Sequence, residues 1–330
     1  MAKVVLGLIA VLIVGAGLYA LLLEVGAFAM PRDQLEAKYV TPQSKFAVID
    51  GVRIHYMDEG PREAPALVML HASYMSLRAF DTVAPLIAQK YRVIRFDFPN
   101  AGLSGPDPKN RFSVEHNMEI LDTLTRDLGV ETFALFGTSS GGPVAFRYAA
   151  EKPERVTRLY LINSAGMPRT AVSNPNRQRG SDLQQWIITR HRSHAYWARN
   201  LATNFTSMPP PAWLVDMAYD MNRRAGQREE AALFMKNFKT GNPQEVLGRV
   251  RAPTVIAWGM DNPTVMHLEA DVMSLWLTGA PSLVIKYPKV GHYLYVEIPE
   301  QAAQDIVDFL DGTKDEQLRV TQRVMAAATP

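Results

Sequence analysis

The chain has 330 residues, of which 47% are hydrophobic and 21% are charged, and its formal net charge is +2 at pH 7. This composition is typical of a globular protein and excludes collagen-like and largely disordered classes. Lys and Arg are scattered along the chain, so we expect no nucleic-acid partner. The sequence contains no cysteine, which excludes disulfides, thiol catalysis and Cys-ligated zinc.

The first segment is an uncharged apolar run from Val4 to Leu23, bounded by Lys3 and Glu24. As a helix it would span roughly 30 Å, the thickness of the hydrocarbon core of a bilayer. Cleaved signal peptides usually have a shorter apolar stretch, so we predict a membrane anchor over residues 1–30. The tripeptide "AFA" that ends at Ala29 fits a signal cleavage site and leaves removal of the segment as the alternative.

The charges around this segment bear on its orientation. Lys3 and the terminal amine favour an N-terminus inside the cytoplasm, whereas Arg32 and Lys38 on the other side weaken that bias. We predict a single-pass membrane protein whose main domain lies outside the cytoplasm and whose contact with the membrane is the N-terminal helix.

From residue 44 onward the pattern alternates between strands and helices. "KFAVIDGVRIHYMDEG" predicts a hairpin that turns at Asp50-Gly51. Apolar runs such as "ALVMLH" and "TFALFG" predict strands buried on both faces, and helical patterns such as "AFDTVAPLIAQKY" and "SVEHNMEILDTLTRDLG" separate them. This rhythm predicts βαβ units and a mostly parallel sheet.

Residues 167–248 interrupt the rhythm. They contain no clear strand and are rich in Trp, Phe, Tyr and Met, so we predict a helical insertion. The sheet pattern resumes with "APTVIAWG" and "PSLVIKYP". We therefore assign residues 44–166 and 249–312 to an α/β core and residues 313–330 to a C-terminal tail.

The stretch "GTSSGG" fits the pattern G-x-S-x-G between a predicted strand and a predicted helix. A nucleophilic serine on such a turn has a strained backbone, and the residues two positions away on each side must be small. For Ser139 both of these residues are glycine, Gly137 and Gly141, whereas for Ser140 one would be Thr138. Ser139 is therefore the candidate nucleophile, and a purely structural Gly/Ser turn is the alternative.

A serine nucleophile needs a base, and the base needs an orienting carboxylate. His292 is the preferred base because it lies between the last predicted strand and the last helix, at the sheet edge where the serine turn also lies. Asp261 follows the strand "TVIAWG" at the same edge and is the candidate acid, which gives the chain order Ser139, Asp261, His292. An ordinary helix-capping role is the alternative for Asp261. Five other histidines lie in a strand or in helical stretches and are expected to be structural or solvated: His55, His116, His191, His194 and His267.

An oxyanion hole requires two backbone N–H donors. One is expected from the residue after the nucleophile, Ser140, and the other from the loop after "ALVMLH". In that loop we assign the donor to Ser73, with Ala72 as the alternative.

These stretches together resemble the α/β-hydrolase superfamily over roughly residues 44–312. "LVMLHAS", "RFDFPNAGLSG", "GTSSGG", "WGMDNP" and "VGHYLYVEIPE" are similar to the family's oxyanion loop, Asp-led turn, nucleophile elbow, acid loop and histidine loop. The resemblance implies an eight-stranded sheet with residues 167–248 as a helical cap over the active site. It also implies that Asp97, Gly102 and Ser104 are structural.

The chain departs from the family pattern at three points. His71 is followed by Ala72 where relatives have His-Gly. The acid Asp261 comes two residues after Gly259, whereas relatives usually carry the acid three residues after this glycine, at the position that Asn262 holds here. The other position that can carry an acid in this family, at the end of the sixth strand, holds Asn163. The nucleophile is Ser rather than Asp, which argues against haloalkane dehalogenase and epoxide hydrolase chemistry.

The sequence thus predicts a serine hydrolase that cleaves a carboxylic ester or a lactone through an acyl-enzyme, with no metal and no organic cofactor. The aromatic and Met-rich insertion favours an apolar small-molecule substrate, although such residues are more often core. One alternative is hydrolysis of a carbon–carbon bond in a ring-cleavage product with the same residues. A second alternative is a catalytically silent, membrane-tethered binding protein.

Overall fold

A sheet of eight strands forms the centre of the structure, a computed structural model that describes residues 2–168 and 181–318. The strand order is β1-β2-β4-β3-β5-β6-β7-β8, in which β2 pairs antiparallel with β1 and β4 and every other neighbouring pair is parallel. The strands are β1 Lys45–Ile49, β2 Val52–Glu59, β3 Ala66–Leu70, β4 Arg92–Phe96, β5 Phe133–Thr138, β6 Val156–Ile162, β7 Thr254–Gly259 and β8 Ser282–Tyr287. The predicted mostly parallel, eight-stranded sheet is confirmed.

The hairpin between β1 and β2 turns where the sequence predicts it. Asp50 and Gly51 both have positive φ angles, 45° and 83°, as a tight two-residue hairpin turn requires. This turn sets the register in which Ile49 lies opposite Val52. The Asp-Gly pair therefore fixes the antiparallel edge of the sheet.

Helices flank the sheet and extend beyond it. In chain order they are α1 Ala2–Glu24, α2 Arg32–Tyr39, a 3₁₀ turn Leu77–Phe80, α3 Ala84–Ile87, α4 Val114–Asp127, α5 Gly141–Glu151, α6 Asp182–Arg190, α7 His194–Ala202, α8 Ala212–Met221, α9 Gln227–Asn237, α10 Pro243–Arg249, α11 Leu268–Trp276, α12 Leu294–Glu297 and α13 Pro299–Leu310. The segment "AFDTVAPLIAQKY" is less helical than its pattern predicts, since only the 3₁₀ turn and α3 form there.

Two apolar layers cover the sheet. One contains side chains of α3, α12 and α13, among them Ile87, Tyr295 and Phe309. The other contains side chains of α4, α5, α10 and α11. The strands β3, β4, β5 and β7 are buried along their whole length, which explains why they are continuous apolar runs in the sequence.

In the described part of the segment between β6 and β7 there are five helices, α6 to α10. Of the predicted insertion, residues 169–180 lie outside the described residues. The last helix, α10, packs against α5 and α11, and Val246 and Leu247 belong to the second apolar layer. The insertion proper therefore consists of α6 to α9 and the loops that join them. Of the predicted C-terminal tail, residues 319–330 lie outside the described residues.

Helix α1 stands apart from the rest of the fold. It has 23 residues with a mean hydropathy of 2.7 over its most apolar stretch, and that stretch is not buried against the protein. An apolar surface on all sides is unfavourable in water and is typical of a helix in a membrane or of a signal sequence. The foot of the helix is anchored, because Leu23 is buried and Glu24 pairs with Arg190 of α6 at 2.6 Å.

The segment after α1 is part of the folded domain. The Met30 N–H donates to the Arg223 carbonyl at 2.7 Å, and Leu35 of α2 is completely buried. Tyr39 Oη donates to Asp220 Oδ2 at 2.8 Å at the end of α8. Residues 30–39 therefore join the base of α1 to the insertion.

Candidate active site

Ser139 lies on a sharp turn between the end of β5 and the start of α5. Its φ angle is +49°, which is rare for a residue with a side chain, whereas Ser140 has an ordinary φ of −66°. The Ser139 N–H donates to the Ile162 carbonyl at 3.1 Å, which ties the turn to the end of β6. The strained conformation therefore belongs to the first serine of the pair.

The glycines on either side of this serine have no room for a side chain. A Cβ atom on Gly137 would lie 2.6 Å from the Gly141 carbonyl oxygen and 2.7 Å from Ala145 Cβ. A Cβ atom on Gly141 would lie 2.6 Å from the Leu70 carbonyl oxygen. The turn therefore needs glycine at both positions because α5 passes so close to β3 and β5.

His292 lies on the loop between β8 and α12, and the surrounding chain fixes its backbone. Its N–H donates to the Asn204 carbonyl at 2.7 Å, and its carbonyl accepts from Asn163 Nδ2 at 2.8 Å. Asn163 follows β6 directly, and its Oδ1 also accepts from the Gly259 N–H at the end of β7 at 3.0 Å. The histidine loop is thereby held at the carboxyl ends of β6 and β7, next to the Ser139 turn.

The partner of the His292 ring is an amide. Nδ1 of His292 lies 3.1 Å from Asn262 Oδ1. The same Oδ1 accepts from the backbone N–H groups of Thr264, at 2.9 Å, and Val265, at 3.3 Å, which identifies this atom as the oxygen. Nδ1 must therefore carry the hydrogen, and Nε2 is left with a free lone pair that can accept a proton.

Asp261 does not take the position predicted for it. Its side chain is exposed and makes no hydrogen bond or ion pair within residues 2–168 and 181–318, while its N–H donates to the Val290 carbonyl at 3.1 Å. That backbone pairing turns Asp261 outward and the next residue, Asn262, inward. The assignment of Asp261 as the group that orients His292 is thus corrected, since Asn262 makes the contact.

Burial determines the protonation of the base. His292 is 4% exposed, and removal from water lowers its pKa from 6.5 to about 4. A neutral amide partner supplies no opposing charge. The imidazole is consequently neutral at physiological pH and is in the state in which a base can act.

The candidate nucleophile, Ser139, is not hydrogen-bonded to the candidate base, His292, among the described residues. Such contacts often tighten only when substrate binds. Ser139 is half-buried, so its hydroxyl is accessible for that step.

The two predicted oxyanion donors, Ser73 and Ser140, line one cavity beside the Ser139 turn. Among the described residues neither of their backbone N–H groups has a hydrogen-bond acceptor, so both are available to a bound anion. Ala72, the alternative donor, does not line this cavity. The cavity measures about 20 Å³, room for about one water molecule, so a substrate must widen it.

The loop that carries Ser73 is held by His71, although Ala72 replaces the usual glycine. His71 Nδ1 donates to the Ala72 carbonyl at 2.8 Å, and Nε2 accepts from the Phe98 N–H at 3.1 Å. Complete burial lowers the pKa of His71, which keeps the ring neutral as both bonds require. The neutral His71 ring thus connects the loop after β3, which carries Ser73, to the loop after β4, which carries Phe98.

Asp97 is structural, as the resemblance implies. Its carboxylate accepts from His55 Nδ1 at 2.8 Å and from the backbone N–H groups of Leu77 and Leu103. Burial alone would raise the pKa of this carboxyl, but the His55 hydrogen bond and these donors hold it below its usual value. The Ser104 hydroxyl donates to the Asp97 carbonyl at 2.8 Å.

Glu297 is a residue of the site that the sequence reasoning did not identify. It is a buried carboxylate whose Oε1 accepts from the Gly291 N–H at 2.8 Å. Its Oε2 accepts from Thr206 and Ser207 of the insertion, each at 2.9 Å. The glutamate in "HYLYVEIPE" was the available signal, because an acidic residue within an apolar stretch needs buried donors.

Comparison with known proteins gives the family. A family model described as the alpha/beta hydrolase fold matches residues 65–299. The chain belongs to this family, as the motifs indicated. It is an enzyme, a hydrolase, as this family and its curated hydrolase relatives indicate.

Three similar proteins show the range of this family. A protein of Rhodobacter capsulatus named magnesium-chelatase 30 kDa subunit is 36% identical over 270 residues, which are 78% of this chain and 90% of that one. A 2-hydroxy-6-oxononadienedioate/2-hydroxy-6-oxononatrienedioate hydrolase of Paraburkholderia xenovorans is 29% identical over 284 residues, 81% of this chain and 95% of the other. The crystal structure of a membrane phospholipase A, described as a bacterial virulence factor, superposes with a TM-score of 0.69 at 24% identity and covers 95% of this chain and 99% of that one.

Proposed function

We propose that this enzyme cleaves a carboxylic ester or a lactone through a covalent acyl-enzyme formed on Ser139. The observation that carries the proposal is the strained turn, in which Ser139 alone has a positive φ and both flanking glycines lack room for a side chain. A backbone strained at one serine between a strand and a helix is the geometry of a nucleophile.

The neighbouring groups support a complete reaction. Ser139 Oγ attacks the acyl carbon while His292 Nε2 takes its proton, and Asn262 Oδ1 holds the Nδ1–H of the resulting imidazolium. The negative oxygen of the tetrahedral intermediate accepts from the N–H groups of Ser73 and Ser140. His292 then gives its proton to the leaving alcohol, and a water molecule that it activates in turn releases the acid.

The unusual partner of His292 has a chemical consequence. An amide orients the ring as a carboxylate would, but it does not stabilise the imidazolium by charge. With a pKa of about 4, His292 is unprotonated over a wide pH range, but it is a weak base for removal of the serine proton. We therefore propose Asn262, in place of the expected Asp261, as the third member of the catalytic group.

A fluorophosphonate probe tests the proposal, since it modifies an activated serine covalently. Labelling of the purified full chain should be lost in Ser139→Ala and retained in Ser140→Ala, which keeps the backbone N–H. Circular dichroism of both variants checks that they are folded. The absence of labelling in the wild type, or its persistence in Ser139→Ala, would refute the assignment of the nucleophile.

Hydrolysis of a carbon–carbon bond is the second candidate, favoured by the 29% identity to the Paraburkholderia xenovorans hydrolase. Steady-state assays with p-nitrophenyl esters, lactones and vinylogous diketones separate the two reactions. A kcat/KM for a vinylogous diketone that exceeds the values for all esters and lactones would favour this candidate over ester cleavage.

We also propose that α1 is a retained single-pass anchor with the catalytic domain outside the cytoplasm. The contacts at the foot of the helix support retention, because cleavage after Ala29 would remove buried Leu23, the Glu24–Arg190 ion pair and the contact of Phe28 with His191. External protease should degrade the domain in intact bacterial spheroplasts that express the full chain. Protection of the domain under those conditions would overturn the orientation.

A further inference from the structure

A second, larger space lies where α1 enters the domain. It is a groove of about 300 Å³ between the foot of α1, the turn from α6 to α7, and the start of α9. Leu23 and Phe28 form one wall, and Arg192, Arg224 and Gln227 are among the residues of the others. The groove therefore opens at the level where the apolar helix would leave a bilayer.

This groove adjoins the cavity that Ser73 and Ser140 line. Both spaces are lined by Tyr74, Gln227, Ala231 and Met235. Tyr74 follows the proposed oxyanion donor Ser73 and has a positive φ of 64°. The shared residues form the wall between the two spaces. Met235 in this wall is half-exposed and has a flexible side chain, so its displacement would open the groove to Ser73 and Ser140.

Charge distinguishes one position in the groove. Five arginines line it, and four of them are paired with carboxylates: Arg190 with Glu24, Arg223 with Asp220, Arg224 with Glu230, and Arg228 with Glu229. Arg192 has no carboxylate partner among the described residues, and residues 169–180 and 319–330 contain neither Asp nor Glu. Within residues 2–168 and 181–318, Arg192 is therefore the uncompensated positive charge of the groove.

Aromatic rings hold this arginine in place without neutralising it. The Arg192 guanidinium lies 4.6 Å from the ring centre of Tyr74, 5.6 Å from Trp197 and 5.9 Å from Tyr196. Its Nε is buried and has no acceptor in the part of the chain that the structure describes. A guanidinium fixed by rings, with donors to spare, is suited to bind the oxygens of a phosphate or carboxylate.

We propose that the groove admits the substrate from the bilayer, and that the substrate is a membrane lipid ester whose anionic headgroup binds Arg192 while its acyl ester reaches Ser139. The apolar wall at the foot of α1 accommodates the chain, and Tyr74 links the headgroup position to the oxyanion loop. This proposal rests on the serine hydrolase function and on the retained α1 anchor, and it adds the class of substrate and its route of entry.

The test uses the full chain reconstituted in neutral phosphatidylcholine vesicles. Three substrates are compared: phosphatidylglycerol embedded in the vesicles, its dibutyryl analogue dissolved as monomers, and neutral p-nitrophenyl butyrate in solution. Arg192→Gln should lower kcat/KM for the embedded anionic lipid at least 10-fold, mainly through KM, and should change the neutral ester less than 3-fold. Arg199→Gln is the matched control, because it removes the same charge from an exposed position on α7 that does not line the groove.

The outcomes separate this proposal from the one on which it rests. If the wild type shows no fluorophosphonate labelling or does not hydrolyse the neutral ester, the serine hydrolase function is refuted, and with it the proposal of the lipid groove. Normal hydrolysis of the neutral ester with no effect of Arg192→Gln on the anionic lipid overturns the groove alone. Equal loss on all three substrates assigns Arg192 a structural role, and an equal kcat/KM for dissolved and embedded anionic esters overturns entry from the membrane.

Discussion

Replacement of Asn262 by aspartate should strengthen the base. Asn262 Oδ1 lies 3.1 Å from His292 Nδ1, so a carboxylate there would face the imidazolium directly. An opposite charge at this range raises a histidine pKa by about 1–3 units, at about 1.4 kcal/mol per unit. We expect the Asn262→Asp variant to hydrolyse a p-nitrophenyl ester about 10-fold faster at pH 7, since the imidazolium forms in the transition state.

The pH dependence of kcat/KM is the decisive measurement. In the wild type, activity should fall only as the pH drops towards about 4, where His292 becomes protonated in the free enzyme. In Asn262→Asp this acid limb should move to higher pH by about 1–3 units.

Asp261→Asn is the control, because it exchanges the same two functional groups, in the reverse direction, at the neighbouring, exposed position. It should alter kcat/KM less than 2-fold and leave the acid limb unmoved. A loss of several orders of magnitude in Asp261→Asn, or an unmoved limb in Asn262→Asp, would contradict the assignment of Asn262.

Two further predictions concern the stability of the site. Gly137→Ala should lower the free energy of unfolding in urea by about 1–3 kcal/mol and abolish fluorophosphonate labelling, because the new Cβ would lie 2.6 Å from the Gly141 carbonyl oxygen. The control is Gly248→Ala in α10, whose Cβ would lie 3.3 Å from the Thr278 hydroxyl and 3.7 Å from the Trp276 carbonyl oxygen, and which should change the free energy of unfolding by less than about 1 kcal/mol. Equal effects of the two substitutions would count against a tight turn. The pKa of His292 is about 4 in the folded state, so between pH 6.5 and 4 the unfolded chain binds a proton that the native state excludes. The free energy of unfolding should therefore fall as the pH falls through that range, by about 3 kcal/mol from this residue. Thermal melts of His292→Gln should show a shallower fall with pH, and an unchanged slope would contradict the low pKa.

The sheet and the serine turn were predictable because their signals are local. Strands buried on both faces are continuous apolar runs, and the turn requires Gly137 and Gly141 within five residues of sequence. The position of His292 followed from the common edge of parallel strands. These features depend on the neighbours of each residue along the chain and on one rule of topology.

The partner of His292 was not predictable in the same way. Whether Asp261 or Asn262 turns inward depends on the pairing of the Asp261 N–H with the Val290 carbonyl, a contact between residues far apart in the sequence. The chemistry of a catalytic histidine favoured the carboxylate of Asp261 as its partner, whereas the backbone places the amide of Asn262 against the ring. The aromatic surroundings of Arg192 likewise come from different segments, with Tyr74 on the oxyanion loop and Trp197 on α7, and no local pattern reports them.

The base and the insertion share a mechanical connection. The His292 N–H is bonded to Asn204 of the insertion, whose side chain also accepts from Thr264, two residues beyond Asn262. Glu297 adds a second link from the histidine loop to Thr206. A movement of the loop that carries Asn204 and Thr206 would therefore also move the backbone of His292, so the position of the base depends on the position of this part of the insertion.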